Sequence, residues 1–267
     1  MITPSPNCQP PPIIAKTKKH QLAVTDKKTL HQNLSFVAKE QYKMLRTNLN
    51  FVLPDDLKCP IIGVTSSVRG EGKSTTAINL AYALAEDGKT VLLIDGDLRL
   101  PSIAKKLGYK NQPGLTDFLQ GGDTKVYKTN IHENWYVMMS GNIPPNPSEL
   151  LGSAKMEKML HMMADRFDYI IIDLPPVNVV TDALAISKLI SGMILVVREE
   201  YVEKRELDNC VRQLKLSNVN VLGCVMNNAK DEKAAYGKYS KYGKYKTYYY
   251  QQPESEELPG AETVTES

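Results

Sequence analysis

The chain has 267 residues, 42% of them hydrophobic, and a formal net charge of +3, which supplies a sizeable core but too mild a charge to imply nucleic acid. Its four cysteines (Cys8, Cys59, Cys210, Cys224) have no CxxC or paired spacing, which argues against a zinc or iron–sulfur site and a disulfide framework and fits a reducing cytoplasm. No apolar run approaches the roughly 18–20 residues of a membrane helix, and the start, with Pro4, Pro6 and Pro10 to Pro12, lacks a signal-peptide layout.

Residues 1–33 are rich in Pro, Lys and Gln without periodicity, and read as a disordered arm. A helix is predicted from Leu34 to Leu53, where Val37, Tyr42, Leu45, Leu49 and Val52 recur at helical spacing and Glu40, Lys43 and Arg46 share a polar side. Pro54 ends it. Strands are then predicted at Ile61–Thr65, Val91–Ile94, Trp135–Met139, Ile170–Ile172, Met193–Val197 and Val219–Met226. Helices are predicted at Ser74–Glu86, Ser148–Asp165, Thr181–Leu189 and Val202–Leu216. Continuous apolar strands alternating with amphipathic helices imply an α/β fold, a parallel sheet flanked by helices on both faces. The domain so defined spans residues 34–228, and residues 229–267 read as a flexible tail.

The chemistry sits where strands end. Ile61 to Thr65 leads into Ser66-Ser67-Val68-Arg69-Gly70-Glu71-Gly72-Lys73-Ser74-Thr75 and then a helix, the context of a P-loop. Gly70 and Gly72 allow backbone N–H groups to converge on phosphate oxygens, and the helix start adds its positive dipole end. Lys73 would reach the β/γ-phosphates, and the Ser74 hydroxyl would ligate Mg²⁺. The GxxxxGK[ST] pattern is broken once, because Ser67 occupies the first glycine position. Val91-Leu92-Leu93-Ile94-Asp95-Gly96-Asp97-Leu98-Arg99 ends a strand with two carboxylates on one side, facing the crevice where such sheets bind ligands. One can serve Mg²⁺ while the other accepts a proton from an attacking hydroxyl. Ile170-Ile171-Ile172-Asp173-Leu174-Pro175-Pro176 has the form of a Walker B strand, with Asp173 supporting Mg²⁺.

The tail holds half of the 14 tyrosines: Tyr236, Tyr239, Tyr242, Tyr245 and Tyr248 at every third position, then Tyr249 and Tyr250, interleaved with lysine and glycine. Such a stretch suits stacking on single-stranded nucleic acid, adhesion to anionic lipid, or presentation of phosphate acceptors to a neighbouring subunit.

These features resemble the bacterial tyrosine kinases (BY-kinases) that accompany capsule and exopolysaccharide synthesis. That family combines a P-loop, a DxDxR strand called Walker A′, a hydrophobic-DxPP Walker B and a C-terminal tyrosine cluster, and all four occur here in that order over about residues 34–250. The resemblance implies a kinase using ATP and Mg²⁺. Arg69, Gly70, Glu71, Gly72, Lys73, Ser74 and Thr75 would line the ATP phosphates, with Asn227 at the adenine. Ser74, Asp97 and Asp173 would hold the metal, and Asp95 would activate the tyrosine hydroxyl. The cluster Tyr236–Tyr250 would receive the phosphates in trans.

The family's ExxRxxR stretch, which mediates ring assembly, reads here from Glu40 to Arg46 with Lys43 in place of the first arginine. Lysine keeps the charge and loses the bidentate fork. The segment Gly141 to Leu151 (GNIPPNPSELL) is also family-like, and its plain reading is a proline-ordered loop with Ser148 capping a helix. The expected partners are a separate membrane-spanning activator, further copies of the chain and a tyrosine phosphatase, without nucleic acid. The expected location is the cytoplasm, at the inner face of the membrane through that activator. A deviant-Walker partitioning ATPase is the rival enzyme, but its extra lysine would fall at Val68. A non-catalytic, nucleotide-gated regulator of a polysaccharide-export complex also fits the motifs.

Overall fold

A computed structural model of the protein describes residues 11, 13–14, 30 and 33–229. The tyrosine cluster 236–250 and most of the predicted N-terminal arm lie outside the described residues. The chain divides into a unit Met1–Asn228 and a unit Ala229–Ser267, and every element below belongs to the first.

Eight strands form one sheet: β1 (Ile13–Ile14), β2 (Ile61–Ser66), β3 (Val91–Asp95), β4 (Val126–Lys128), β5 (Trp135–Met138), β6 (Tyr169–Asp173), β7 (Gly192–Arg198) and β8 (Val221–Asn227). Their order is β1-β4-β5-β3-β6-β2-β7-β8, and every neighbouring pair is parallel except β4 with β5. The helices are α1 (Phe36–Val52), α2 (Lys73–Glu86), α3 (Ile103–Leu107), α4 (Leu115–Leu119), α5 (Pro147–Leu151), α6 (Ala154–Ala164), α7 (Asp182–Ala185) and α8 (Lys204–Leu216).

The apolar runs become two-faced burial. Along β3, Val91 and Leu93 join a core with Leu80, Leu84 and Trp135, while Leu92 and Ile94 join a second core with Met156, Leu160 and Leu214. A strand covered on both sides has no polar face to alternate with, hence its unbroken hydrophobicity. Helix α2 is buried at eleven of the twelve positions from Ser74 to Ala85, all but Thr75, between the sheet and α1. Its Ala-rich composition admits that close approach.

Four expectations change. The helix expected over 148–165 is two helices: Gly152 closes α5, and the Ser153 hydroxyl starts α6 by accepting the Met156 N–H at 3.2 Å. Ser148 is not a cap; Asn146 holds that position and Ser148 lies within the first turn. The helix expected over 181–189 is the short α7 followed by a 3-10 turn at Ser187–Leu189. Within the stretch read as an irregular arm, Ile13 and Ile14 pair with Val126 and Tyr127. Only part of the α1 stripe packs inward: Leu49 is buried and Leu45 partly so, whereas Val37 and Val52 are each 48% exposed.

Candidate active site

Strand β6 lies between β2 and β3, so the chain skips a sheet position in passing from β2 through α2 to β3. The three motifs therefore end side by side, at the kind of crevice where α/β sheets bind ligands. Asp95 and Asp173 are direct partners across the β3–β6 pair, and the Gly96 N–H donates to the Asp173 carbonyl at 2.8 Å. The Walker B segment then runs along the P-loop: Thr65 Oγ1 donates to the Pro175 carbonyl at 2.8 Å, and the Val177 and Asn178 N–H groups donate to the Ser66 and Ser67 carbonyls at 2.9 and 3.2 Å.

Ser67, which departs from the glycine pattern, has a partner that explains it. Glu71 is fully buried; its Oε2 accepts from Ser67 Oγ at 2.8 Å and from the Val68 N–H at 2.7 Å, while Oε1 accepts from the Arg198 N–H at 3.3 Å. A buried carboxylate must be hydrogen-bonded, and the hydroxyl supplies one of the donors. Gly70 and Gly72 have φ of +85° and +99°, in the left-handed region. A Cβ on Gly72 would lie 2.0 Å from Asn227 Nδ2, which donates to the Glu71 carbonyl at 2.7 Å. A Cβ on Gly70 would meet the Tyr201 hydroxyl at 2.6 Å. Asn227 thus braces the loop from the end of β8. Arg69 is exposed.

Lys73 crosses the site. Its Nζ donates to Asp97 Oδ2 at 2.9 Å and Asp173 Oδ1 at 3.3 Å, and lies 3.4 Å from Ser74 Oγ. Burial pulls the ammonium pKa down, but Asp173 and Asp97 outweigh it and hold the lysine charged. Asp95 is fully buried; Oδ2 accepts the N–H groups of Ser102 and Ile103 at 3.1 and 3.0 Å, at the start of α3, and Oδ1 has no partner among the described residues. Burial first, and then the Asp173 charge, pushes the Asp95 pKa up to about 8. Asp173 is raised as well, by burial, against the opposing pull of Lys73 and the Ser74 hydroxyl.

These residues fit a divalent cation. Asp95, Asp97 and Asp173 are at most 4% exposed, and the one ammonium among them, Lys73, pairs with Asp97 and Asp173, so full ionisation would leave two negative charges (three minus one) in a buried site. Asp173 Oδ2 has no hydrogen-bond partner among the described residues. No cluster of three or more metal-ligating side chains occurs among the described residues; Mg²⁺ does not need one, because it binds through one or two carboxylates plus phosphates.

The structure also brings in residues that sequence reasoning did not single out. Lys106 of α3 donates to Thr75 Oγ1 at 3.3 Å, and the Arg198 guanidinium lies 4.8 Å from the Tyr201 ring centre beside Gly70. Neither sits in a motif or a periodic stretch. The residues expected to form the ring have different partners within the chain: Lys43 pairs with Glu40 at 2.7 Å on the surface, whereas Arg46 turns inward to the Ala83 carbonyl at 2.8 Å and Asp87 at 3.1 Å. The negative end of the α2 dipole favours a cation there, and Arg46 takes the Ala83 carbonyl while backbone N–H groups take those of Leu84 and Ala85.

The family described as ParA, NUBPL iron-transfer P-loop NTPase, matches residues 59–247. Tyrosine-protein kinase YwqD of Bacillus subtilis (strain 168) is 34% identical over 228 residues, covering 84% of this chain and 93% of that one. Tyrosine-protein kinase CpsD of Streptococcus pneumoniae serotype 4 is 39% identical over 212 residues, covering 77% and 92%. The crystal structure of the chimerical protein CapA2B2 superposes with a TM-score of 0.70 at 33% identity, over 82% of this chain and 93% of that one. By fold, motif geometry and relatedness, the chain belongs to the bacterial tyrosine-protein kinases, within the P-loop NTPases.

Proposed function

We propose that the chain transfers the γ-phosphoryl group of ATP to tyrosine hydroxyls, chiefly those of the cluster Tyr236, Tyr239, Tyr242, Tyr245, Tyr248, Tyr249 and Tyr250 on another copy. The observation that carries this reading is Asp95: a buried carboxylate with one oxygen committed to the backbone, the other without a partner among the described residues, and a pKa pushed up to about 8. A general base works best with a pKa near the operating pH.

In this reading the P-loop residues Arg69 to Thr75 bind the ATP phosphates, with Lys73 as the charge that follows the migrating group. Asn227, already against the loop at Glu71, lies toward the base. Asp95 takes the tyrosine proton as the oxygen bonds to phosphorus, and ADP leaves. Ser74, Asp97 and Asp173 hold Mg²⁺, which when bound neutralises charge on the phosphates.

The activity serves capsule or exopolysaccharide synthesis, through a membrane-spanning activator that holds the chain at the inner membrane face. Among the described residues no helix is long and apolar enough to cross a membrane. Assembly with further copies uses the exposed face of α1, including Glu40 and Lys43, while Arg46 stiffens the α1–α2 contact that presents it. A tyrosine phosphatase resets the tail. Incubation with ATP and Mg²⁺ in the presence of the activator, followed by phosphopeptide mass spectrometry, tests the reading. Tail phosphotyrosine in the wild type and none in Lys73→Ala is expected; its absence from the wild type contradicts it.

A further inference from the structure

Asp182 is fully buried at the start of α7, and the turn after β3 and the first turn of α5 meet on it. Arg99 Nε donates to Oδ2 at 2.9 Å and Arg99 Nη2 to Oδ1 at 3.0 Å, a bidentate pair. The Ser148 hydroxyl also donates to Oδ1, and it lies 3.1 Å from Thr181 Oγ1. The Walker A′ turn, the GNIPPNPSELL segment and the loop after Walker B are thereby joined by one carboxylate.

Arg99 is two residues beyond Asp97. Asp97 Oδ1 accepts the Leu100 N–H at 3.0 Å, so the turn that carries Arg99 folds back over that carboxylate. The Arg99 side chain is 40% exposed, and the Asp182 hydrogen bond, with a contribution from the Asp97 charge, holds the guanidinium above its usual range. A permanent cation on a long side chain beside a metal-side carboxylate would compete with a divalent ion for it unless something held it elsewhere.

We propose that Asp182 is a positioning residue that holds Arg99 off Asp97, leaving that carboxylate to Lys73 and the metal. This rests on the reading of Asp97 as a metal-side residue. Ser148 supports the arrangement from the first turn of α5, which gives the GNIPPNPSELL segment a role in ordering the site. The bidentate geometry matters, because it fixes the guanidinium in one plane instead of merely neutralising it.

The test reads metal binding rather than catalysis. Mn²⁺ is titrated by electron paramagnetic resonance into full-length protein saturated with ADP, and ADP affinity is measured separately without metal. Asp182→Asn is expected to weaken Mn²⁺ binding about 10-fold or more, the usual size of such outer-layer effects, with metal-free ADP affinity unchanged. Adding Arg99→Gln to Asp182→Asn is expected to restore most of the loss, because the competitor is gone, whereas damage to the fold would not be repaired. If Asp182→Asn does not fold, Arg99→Gln alone decides: Mn²⁺ binding as tight as wild type supports the proposal, and threefold weaker binding overturns it. Unchanged binding in folded Asp182→Asn, or no recovery in the double variant, overturns it too. Wild type that binds no Mn²⁺ with ADP removes the metal-side reading of Asp97 itself, a failure distinct from these.

Discussion

Asp95 and Asp173 face each other in register at the ends of two adjacent parallel strands, both fully buried, with the Gly96 N–H bonded to the Asp173 carbonyl between them. Two carboxylates so placed cannot both ionise easily, and the folded pKa of Asp95 lies at about 8 against an ordinary 3.8. Below that pH Asp95 keeps its proton and cannot take one from tyrosine. The kinase kcat/KM should therefore rise with pH through about 8, as a macroscopic property of the pair, and Asp95→Asn should abolish the rise along with most of the activity. A pH–rate profile from pH 6 to 9 checks this.

The same shift has a stability consequence of opposite sense. The folded state holds the Asp95 proton more tightly than the unfolded one, so stability is greatest below the unfolded pKa and declines as pH rises toward about 8. Asp95→Asn removes that decline while keeping an acceptor for the Ser102 and Ile103 N–H groups. The variant should be about 1–2 kcal/mol more stable than wild type at pH 8.5, and the difference should vanish near pH 4. Urea denaturation at both pH values measures it.

Gly72 and Gly88 separate two costs of a side chain. Both have left-handed backbone, but a Cβ on Gly88 meets nothing within 4 Å, while one on Gly72 lies 2.0 Å from Asn227 Nδ2. Gly88→Ala should cost about 1 kcal/mol from backbone strain alone and leave nucleotide affinity intact. Gly72→Ala should cost about 1–3 kcal/mol in stability and lose nucleotide binding, because Asn227 must leave the loop. Calorimetric titration with ADP beside thermal melts distinguishes the two.

Replacing Ser67 by glycine would restore the usual P-loop spelling, and should still harm the protein. Buried Glu71 would lose its Ser67 donor, at roughly 1–3 kcal/mol for a buried acceptor left short. Lower ADP affinity and a lower melting temperature are expected; improved affinity would mean that the Ser67–Glu71 bond does not shape the loop.

Much of the site was legible because each motif pairs a residue type with a break in a long apolar run. Asp95 and Asp173 end five-residue strands that are buried throughout, and Lys73 opens a helix after a glycine. Less was legible where elements are short. β4 has three residues and α3 and α4 five each, too few for a period to register. The Asp182 hub joins positions separated by 83 and 34 residues, and no local pattern announces such a contact. Arg46 looked like a surface residue because its partners, Ala83 and Asp87, are visible only once α1 lies on α2.

The central claim is that this carboxylate-lined P-loop phosphorylates the tyrosine cluster of another copy. In the native host, one tagged copy carrying Lys73→Ala with an intact tail is co-expressed with a second copy whose seven cluster tyrosines are phenylalanine and whose site is intact. Phosphotyrosine between Tyr236 and Tyr250 of the Lys73→Ala copy, absent when it is expressed alone, is the predicted result. An unphosphorylated tail in that pairing, with both copies folded and present, would contradict it.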